Sequence, residues 1–519
     1  MKDLKIEFNE QFNKALDVME NTSKNAFITG KAGTGKSTLL NYFKDTTKKQ
    51  IVVLAPTGVA AVNIGGQTIH SFFGFKPDVT VQKVKEMELK NRSAKIYKNL
   101  DAIIIDEISM VRADLLDCVD IFLRKHSRSK ELPFGGIQMI FFGDLYQLPP
   151  VVTKMEKEIF STHYKSPYFF EADVFKNFSM EFIELEKIYR QKDEKFIEIL
   201  NAIRNNTINE KQISFLNSRV NAETKGSDDF KIYLTTINKK ADDINNVYLR
   251  DINSDVKTYQ AEIQGNFDKS YFPAEAALNI AAGAQVMLLN NDSSGRWING
   301  TVGKISKIKK SKKYNVDIIY VKLSDDSLVE VMPYTWEIFE YKYNEEKKMI
   351  ETKTAGTFTQ YPVKLAWAIT IHKSQGKTFN NVVIDFSRGT FAHGQAYVAL
   401  SRCTSLDGIV LERPFRKSDI IMDWKIIKFL TEYQYKLSEK NISIQDKTKM
   451  IENAIENGRK IEIVYLKRTD EKSKRIIKPV EIGKMTYMEK SFLGLKAYCM
   501  KRKEERVFRV DRILEINVL

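Results

Sequence analysis

The chain has 519 residues, 43% of them hydrophobic, enough for about three or four domains at roughly 150 residues each. Its formal charge of +15 and pI near 9.2 favour a polyanionic partner such as nucleic acid. The three scattered cysteines, Cys118, Cys403 and Cys499, exclude a disulfide framework and a CxxC metal site and fit a reducing, cytoplasmic setting. The amino-terminal stretch MKDLKIEFNEQFNKALDVMEN reads as an amphipathic helix, and no apolar run reaches the roughly 18 residues a bilayer requires, so no membrane partner is expected.

Along residues 1 to about 200, the β-rich runs AFITG, QIVVLAP, DAIIIDE, IQMIFFGD and MEFIELE alternate with helical patterns. That rhythm predicts an α/β domain with a parallel sheet covered by helices on both faces. Residues 74–98 carry no strand signal and form an excursion from it. A second α/β region starts near KIYLTTINKKADDINNVYL and resumes at VKLAWAITIHKSQG and NVVIDF. Between those pieces, Gly/Asn turns and alternating segments such as YNVDIIYVKL predict an inserted β-barrel, whose lysine run GKISKIKKSKKYN reads as a solvated hairpin tip or a DNA-guiding surface. The last 73 residues hold 19 Lys/Arg against 11 Asp/Glu, a net +8, and their segments KIEIVYLKR, RIIKPVEIG and ERVFRVDRILEINVL predict a compact β-domain. The expected boundaries are 1–185 for the first domain, 186–436 for the second with its barrel at about 290–356, 437–448 for a linker and 449–519 for the last module.

The stretch ITGKAGTGKSTLL satisfies G-x-x-x-x-G-K-S/T between a strand and a helix. Gly30, Ala32, Gly33, Thr34 and Gly35 let backbone N–H groups close on phosphates, Lys36 supplies charge to the β- and γ-phosphates, and Ser37, followed by Thr38, offers a hydroxyl to Mg²⁺. The strand AIII then ends in Asp106, placed to hold Mg²⁺, and Glu107, placed to orient or deprotonate water. In GDLYQLPPVV, Asp144 and Gln147 sit where a strand would end near the γ-phosphate. Arg190 in LEKIYRQ and Arg402 in YVALSRCTS lie far from the P-loop in sequence and are candidates for neutralising transition-state charge.

In their order, FNEQ, GKAGTGKST, APTGVAAVNIGGQTIHSFF, IIIDEISM, PFGGIQMIFFGDLYQLPPV, LEKIYRQ, LAWAITIHKSQGKTF and YVALSRC resemble superfamily 1B DNA helicases, most closely the Pif family. The resemblance implies two RecA-like domains that clamp ATP with Mg²⁺, single-stranded DNA across their tops, and 5′-to-3′ translocation. It implies that Gln11 reads the adenine, that Arg190 and Arg402 reach the γ-phosphate from the second domain, and that Gln147 couples phosphate state to domain closure. Thr57, Gly58, Thr68 and His70, with Thr370, His372, Lys373, Ser374 and Gln375, then face DNA. Phe72 and Phe73 either stack or wedge against bases or belong to the core. The excursion at 74–98 corresponds to the family's wedge, and the inserted barrel to its Src-homology-like barrel. Family members unwind duplexes, RNA–DNA hybrids and G-quadruplexes.

Residues from about 449 onward resemble a WYL domain through IENGRKIEIVYL, IIKPVEI and LKAYCMKRKEERVFRVDRIL, with Ser491, Phe492 and Leu493 where the family's Trp-Tyr-Leu would fall. The resemblance implies binding of single-stranded nucleic acid or of a small ligand. Arg506, Arg509 and Arg512 either follow a phosphate backbone or pair with Glu504, Glu505 and Asp511. The expectation is a monomeric, cytoplasmic, nucleoid-associated helicase acting on single-stranded DNA and single/double-strand junctions. A ligand-responsive DNA-binding regulator and a protein-displacing translocase are the rival readings.

Overall fold

Strands that end a parallel sheet on one edge deliver their following loops to one place, and that edge is where both sheets of this chain converge. The computed structural model describes residues 8–76, 78–89, 91–152, 160, 163–191, 193–223, 230–487 and 489–519. Six strands form the first sheet: β1 (Ala26–Gly30), β2 (Ile51–Ala55), β3 (Gln67–Thr68), β4 (Ala102–Ile105), β5 (Gln138–Phe142) and β6 (Glu181–Leu185). Every pairing is parallel, in the order β3-β2-β4-β5-β1-β6. β1, β4 and β5 are buried at every position, as continuous apolar runs covered on both faces should be. Ile28, Val53, Ile104 and Ile140 pack against Leu39, Leu40 and Phe43 of the helix Lys36–Thr46 and Ala15 and Met19 of the helix Glu10–Asn21.

The excursion at 74–98 is helical, Val81–Glu86 and Asn91–Asn99. It closes over an aromatic cluster. The Phe73 ring lies 5.3 Å from Phe75, 6.0 Å from Tyr97 and 5.2 Å from Phe122, and Phe72 lies 5.4 Å from Tyr97.

The second parallel sheet holds Ile232–Thr235, Ala368–Thr370, Val382–Ile384 and Ile409–Leu411. Between its first two strands comes the barrel, wider than the 290–356 expected. Its five-stranded antiparallel sheet runs from Gln285–Leu288 to Val363–Leu365. A hairpin of Tyr334–Asn344 and Met349–Gln360 pairs instead with Glu262–Gly265 and reaches the first domain. There the Tyr341 hydroxyl accepts the Val53 N–H at 3.1 Å, and the Ile350 N–H reaches Gln50 Oε1 at 2.8 Å.

A separate compact unit comprises 205–207 and 422–519. Its antiparallel sheet follows the expected strands, Ile461–Leu466, Lys472–Tyr487, Lys490–Cys499, Glu504–Arg509 and Ile513–Val518. The expected linker at 437–448 is corrected. Those residues finish the helix Trp424–Asn441 and begin the helix Ile444–Glu456, which Ser443 caps by accepting the Asp446 N–H at 3.1 Å. The first helix belongs to this unit because Tyr435 donates to Leu466 O at 3.0 Å and Ser438 to Leu514 O at 2.7 Å. Among the described residues, no helix is long and apolar enough to cross a membrane.

Phe73 is 2% exposed, so Phe73→Ala should destabilise the first domain by about 3–5 kcal/mol through loss of burial and the cavity left behind. Denaturant unfolding of the first domain measures this.

Candidate nucleotide and DNA site

The loop between β1 and the helix Lys36–Thr46 turns through left-handed conformations that glycine adopts freely. At Gly33, φ is 82°, and a Cβ there would stand 2.5 Å from Arg190 Cβ; this close approach leaves no room for a side chain. The loop is also tied to the second domain, since Ala32 N–H donates to the Tyr397 hydroxyl at 2.9 Å. Thr34 donates to Lys31 O at 2.9 Å, and Lys36 Nζ donates to Gly30 O at 2.7 Å and Lys31 O at 3.1 Å. Burial pushes the Lys36 ammonium below its ordinary range, against the pull of Asp144, Glu107 and Asp106. Ser37 and Thr38 lie in the first helical turn, and both are exposed. The flexible backbone, the open helix start and the lysine with its nearby acids fit a triphosphate with Mg²⁺.

Asp106 and Glu107 follow β4. The Glu107 N–H donates to Asp106 Oδ1 at 2.9 Å, and Glu107 itself holds φ 51° and ψ 43°, a left-handed geometry that costs about 1–3 kcal/mol outside glycine. Burial, then the neighbouring Asp106 charge, pushes the Glu107 carboxyl up to about 7. Across the cleft, Gln375 Nε2 donates to Glu107 Oε2 at 3.2 Å.

After β5, Asp144 is fully buried. Its carboxylate accepts the Tyr146 N–H and Gln147 Nε2, each at 3.1 Å, and pairs with Arg204 at 3.6 Å. The Arg204 guanidinium lies 3.8 Å from the Tyr146 ring centroid. Gln147 is therefore aimed by Asp144, and Asp144 by Arg204. From the second domain, His393 Nε2 donates to Leu145 O at 2.9 Å.

Arg402 stands just beyond the helix Gln395–Leu400, as expected for the second domain. Arg190 stands between the two domains. It lies on the segment leaving β6 of the first sheet, where Tyr189 N–H binds Gly33 O at 2.8 Å, and it crosses to Ser401 O at 3.2 Å. Burial and then Arg190 push Arg402 down to about 9. Arg402 is 1% exposed and its donors are occupied: Nε on Val398 O at 2.9 Å, Nη1 on Ser374 O at 3.4 Å and Lys377 O at 3.3 Å, Nη2 on Ser401 Oγ at 3.0 Å. Gln11 is half-buried on the helix Glu10–Asn21, whose Phe12 ring abuts Gly35 and whose cap, Asn9, donates to the Tyr189 hydroxyl at 3.3 Å.

The DNA expectations divide. Thr57 is exposed, His70 and His372 are half-buried and Lys373 is exposed. The His372 ring stacks on Phe391 at 6.3 Å, and Phe391 is 61% exposed. Gly58 is buried at the start of the helix Gly58–Ile64. Phe72 and Phe73 are corrected to core, because the aromatic cluster encloses both rings. Three further side chains are engaged within the protein: Thr68 bonds Tyr271, Thr370 is buried, and Ser374 donates to Ile371 O at 2.7 Å. Gln375 is corrected from DNA contact to partner of Glu107. In the carboxy-terminal unit, Arg509 makes two hydrogen bonds to Asp511 (3.0 and 2.6 Å) and Arg506 pairs with Glu504 at 3.5 Å, as the structural alternative expects. Arg512 is half-buried in the short turn Val510–Arg512. Sequence reasoning does not find Tyr397, Arg204 or Tyr189. Tyr397 and Tyr189 stand beside Arg402 and Arg190 in motifs already recognised, whereas Arg204 lies in an ordinary amphipathic helix.

Two parallel sheets, a phosphate loop on one and an arginine from the other define a two-domain P-loop motor ATPase. The PIF1-like helicase model matches residues 3–214, and the WYL domain model matches 446–518. The ATP-dependent DNA helicase Pif1 of Bdellovibrio bacteriovorus is 31% identical over 83% of this chain and 93% of its own length. The Pif1 of a Bacteroides species solved with ADP-AlF4 is 35% identical, covering 83% of this chain and 98% of its own, with a TM-score of 0.74; the same helicase bound to single-stranded DNA gives 0.59 at 37% identity and covers 83% of this chain and 97% of its own. The chain belongs to the PIF1-like helicase family of ATP-dependent DNA helicases and carries a WYL domain at its carboxy-terminal end.

A carboxyl that titrates near 7 accepts a proton from water only when ionised. ATP turnover should therefore rise with pH through about 7 and level off above it. Glu107→Gln should lose about 10²- to 10⁴-fold in kcat and show no such limb; a pH profile of steady-state hydrolysis reads both.

Proposed function

We propose that this helicase hydrolyses Mg²⁺-ATP to move 5′ to 3′ along single-stranded DNA and to separate strands at single/double-strand junctions. The observation that carries the reading is the convergence at one P-loop of Glu107, Gln147, Arg190 and Arg402, drawn from both sheets and bridged by Gln375. Holding a nucleotide needs only the loop. Activating water and neutralising charge in flight needs the acid and the arginines together.

In this reading, Lys36 turns from the loop carbonyls to the phosphates, and Ser37 and Asp106 hold Mg²⁺, which neutralises phosphate charge. Glu107 orients or deprotonates the water, and Gln147 senses the γ-phosphate. Gln11 contacts the adenine. Arg402 reaches the transition state by exchanging the carbonyls of Ser374 and Lys377 for phosphate oxygens. Those carbonyls belong to the turn 370–377, which also carries His372 and Lys373 on its outer side. DNA lying across those two side chains then shifts the turn that holds Arg402 and Glu107, which makes hydrolysis DNA-dependent. The helical excursion splits strands, and the WYL domain adds hold on the single strand when Arg506 and Arg509 exchange Glu504 and Asp511 for phosphates. The protein acts as a monomer at the nucleoid.

Strand separation on two otherwise identical duplexes, one with a 5′ tail and one with a 3′ tail, tests this. Unwinding confined to the 5′ tail and lost in Glu107→Gln is expected. ATP turnover without strand separation on either substrate overturns the helicase reading in favour of a translocase.

A further inference from the structure

The carboxy-terminal unit buries the Lys447 ammonium without a counter-ion. The residue is 1% exposed and lies in the helix Ile444–Glu456. Its Nζ donates to Ser438 Oγ and to Ile513 O, each at 2.7 Å. An ammonium has three donors; among the described residues the third meets no acceptor, and no carboxylate pairs with the group. Burial pushes Lys447 below its ordinary range, and Glu439 and then Asp511 oppose this only through space. Asp511 is itself engaged by two hydrogen bonds from Arg509, at 3.0 and 2.6 Å. A buried charge held this way is unfavourable, and an anionic oxygen beside it reverses the sign.

The same lysine lines a cavity of about 340 Å³ between the helices Trp424–Asn441 and Ile444–Glu456 and the turn Val510–Arg512, all within one compact unit. Small-molecule sites run from roughly 300 to 1,000 Å³, so this one suits a small occupant. Half-buried Tyr435 and Ile444 supply apolar walls, and the Tyr435 hydroxyl is spent on Leu466 O at 3.0 Å. Glu432, Lys436 and Glu439 are exposed at the rim, on one face of the helix Trp424–Asn441. Glu432 lies 3.9 Å from Lys428, whereas Lys436 and Glu439 form no ion pair among the described residues. The floor is therefore positive and the rim, with two acids to one lysine, negative. A phosphodiester chain entering the cavity would carry further negative charge past those acids, which repel it. A small molecule with a carboxylate at the floor and an amine toward the rim matches both charges.

We propose that this cavity binds a free amino acid, its carboxylate accepting from Lys447, its ammonium donating to Glu439 and its side chain lying against Tyr435 and Ile444. The bound molecule bridges the two helices and the turn, and so tightens the carboxy-terminal unit.

Melting of the full chain with each common L-amino acid singly, followed by calorimetric titration of any that stabilise it, tests the site. At least one should raise the melting temperature of the carboxy-terminal unit, since a ligand that binds only the folded state stabilises it. Its decarboxylated amine and its deaminated acid should each bind at least about tenfold more weakly, as for one lost hydrogen bond to a charged group. Lys447→Met should abolish binding of the amino acid and of the deaminated acid alike. Glu439→Gln, a change at the exposed rim that spares the fold, should weaken the amino acid about tenfold and leave the deaminated acid unaffected. Stabilisation by no amino acid, or affinity that survives in Glu439→Gln or in a folded Lys447→Met, overturns the site. Inorganic phosphate or oligothymidylate binding that Lys447→Met removes would make the floor a phosphate seat and overturn the amino-acid assignment.

Discussion

The turn 370–377 is the constraint on which the site depends. It holds itself together with short backbone bonds, Ser374 N–H to Thr370 O at 3.0 Å and Lys377 N–H to Ser374 O at 3.0 Å. From that scaffold Gln375 grips Glu107 of the first domain, and the carbonyls of Ser374 and Lys377 grip Arg402 of the second. A carbonyl oxygen is a good partner for a buried guanidinium and a poorer one than a phosphate oxygen. Glu107 and Arg402 are thus each held by local partners, which in the proposed function they exchange for the nucleotide.

Burying this much charge demands such satisfaction. Asp144 and Arg204 form a pair with almost no exposure, and Arg402 is equally enclosed. Removing one partner of a buried pair is strongly destabilising, by about 3–5 kcal/mol, whereas the intact pair gives little net stability. What the pairs supply is direction. Arg204 fixes Asp144, Asp144 fixes Gln147, and Gln191 ties the segment carrying Arg190 to Ser401 O at 3.1 Å and Cys403 O at 3.0 Å. The two domains therefore meet through hydrogen bonds around the P-loop and, at the hairpin, through the Tyr341 ring, 5.8 Å from Phe72.

Much of this is legible in the sequence because the signals are long or local. The apolar runs of β1, β2, β4, β5 and β6 are unmistakable, and the P-loop carries its mechanism in eight residues. Elements of two or three residues, Gln67–Thr68 and Ile409–Leu411, are too short to leave a period. Residues 437–448 read as a linker because SEKN and QDKTK are polar, yet they end one helix and begin the next, with Ser438 and Lys447 buried and hydrogen-bonded to each other at 2.7 Å and the apolar faces on Ile426, Leu430 and Ile451. Pattern alone does not place Phe72 and Phe73, since an aromatic pair beside a histidine looks the same whether it meets a base or Phe122. Gln375 sits three residues from His372, so the same turn points one side chain outward and the other to Glu107. Only the tertiary structure separates those directions, and it alone reveals Arg204 behind Asp144.

The central claim is that these groups rest on the turn until DNA shifts it, and steady-state ATP hydrolysis with and without saturating oligothymidylate measures that most directly. The account predicts turnover at least about tenfold faster with DNA, as expected when oriented charge is delivered to a transition state. Equal turnover in the two conditions would contradict it.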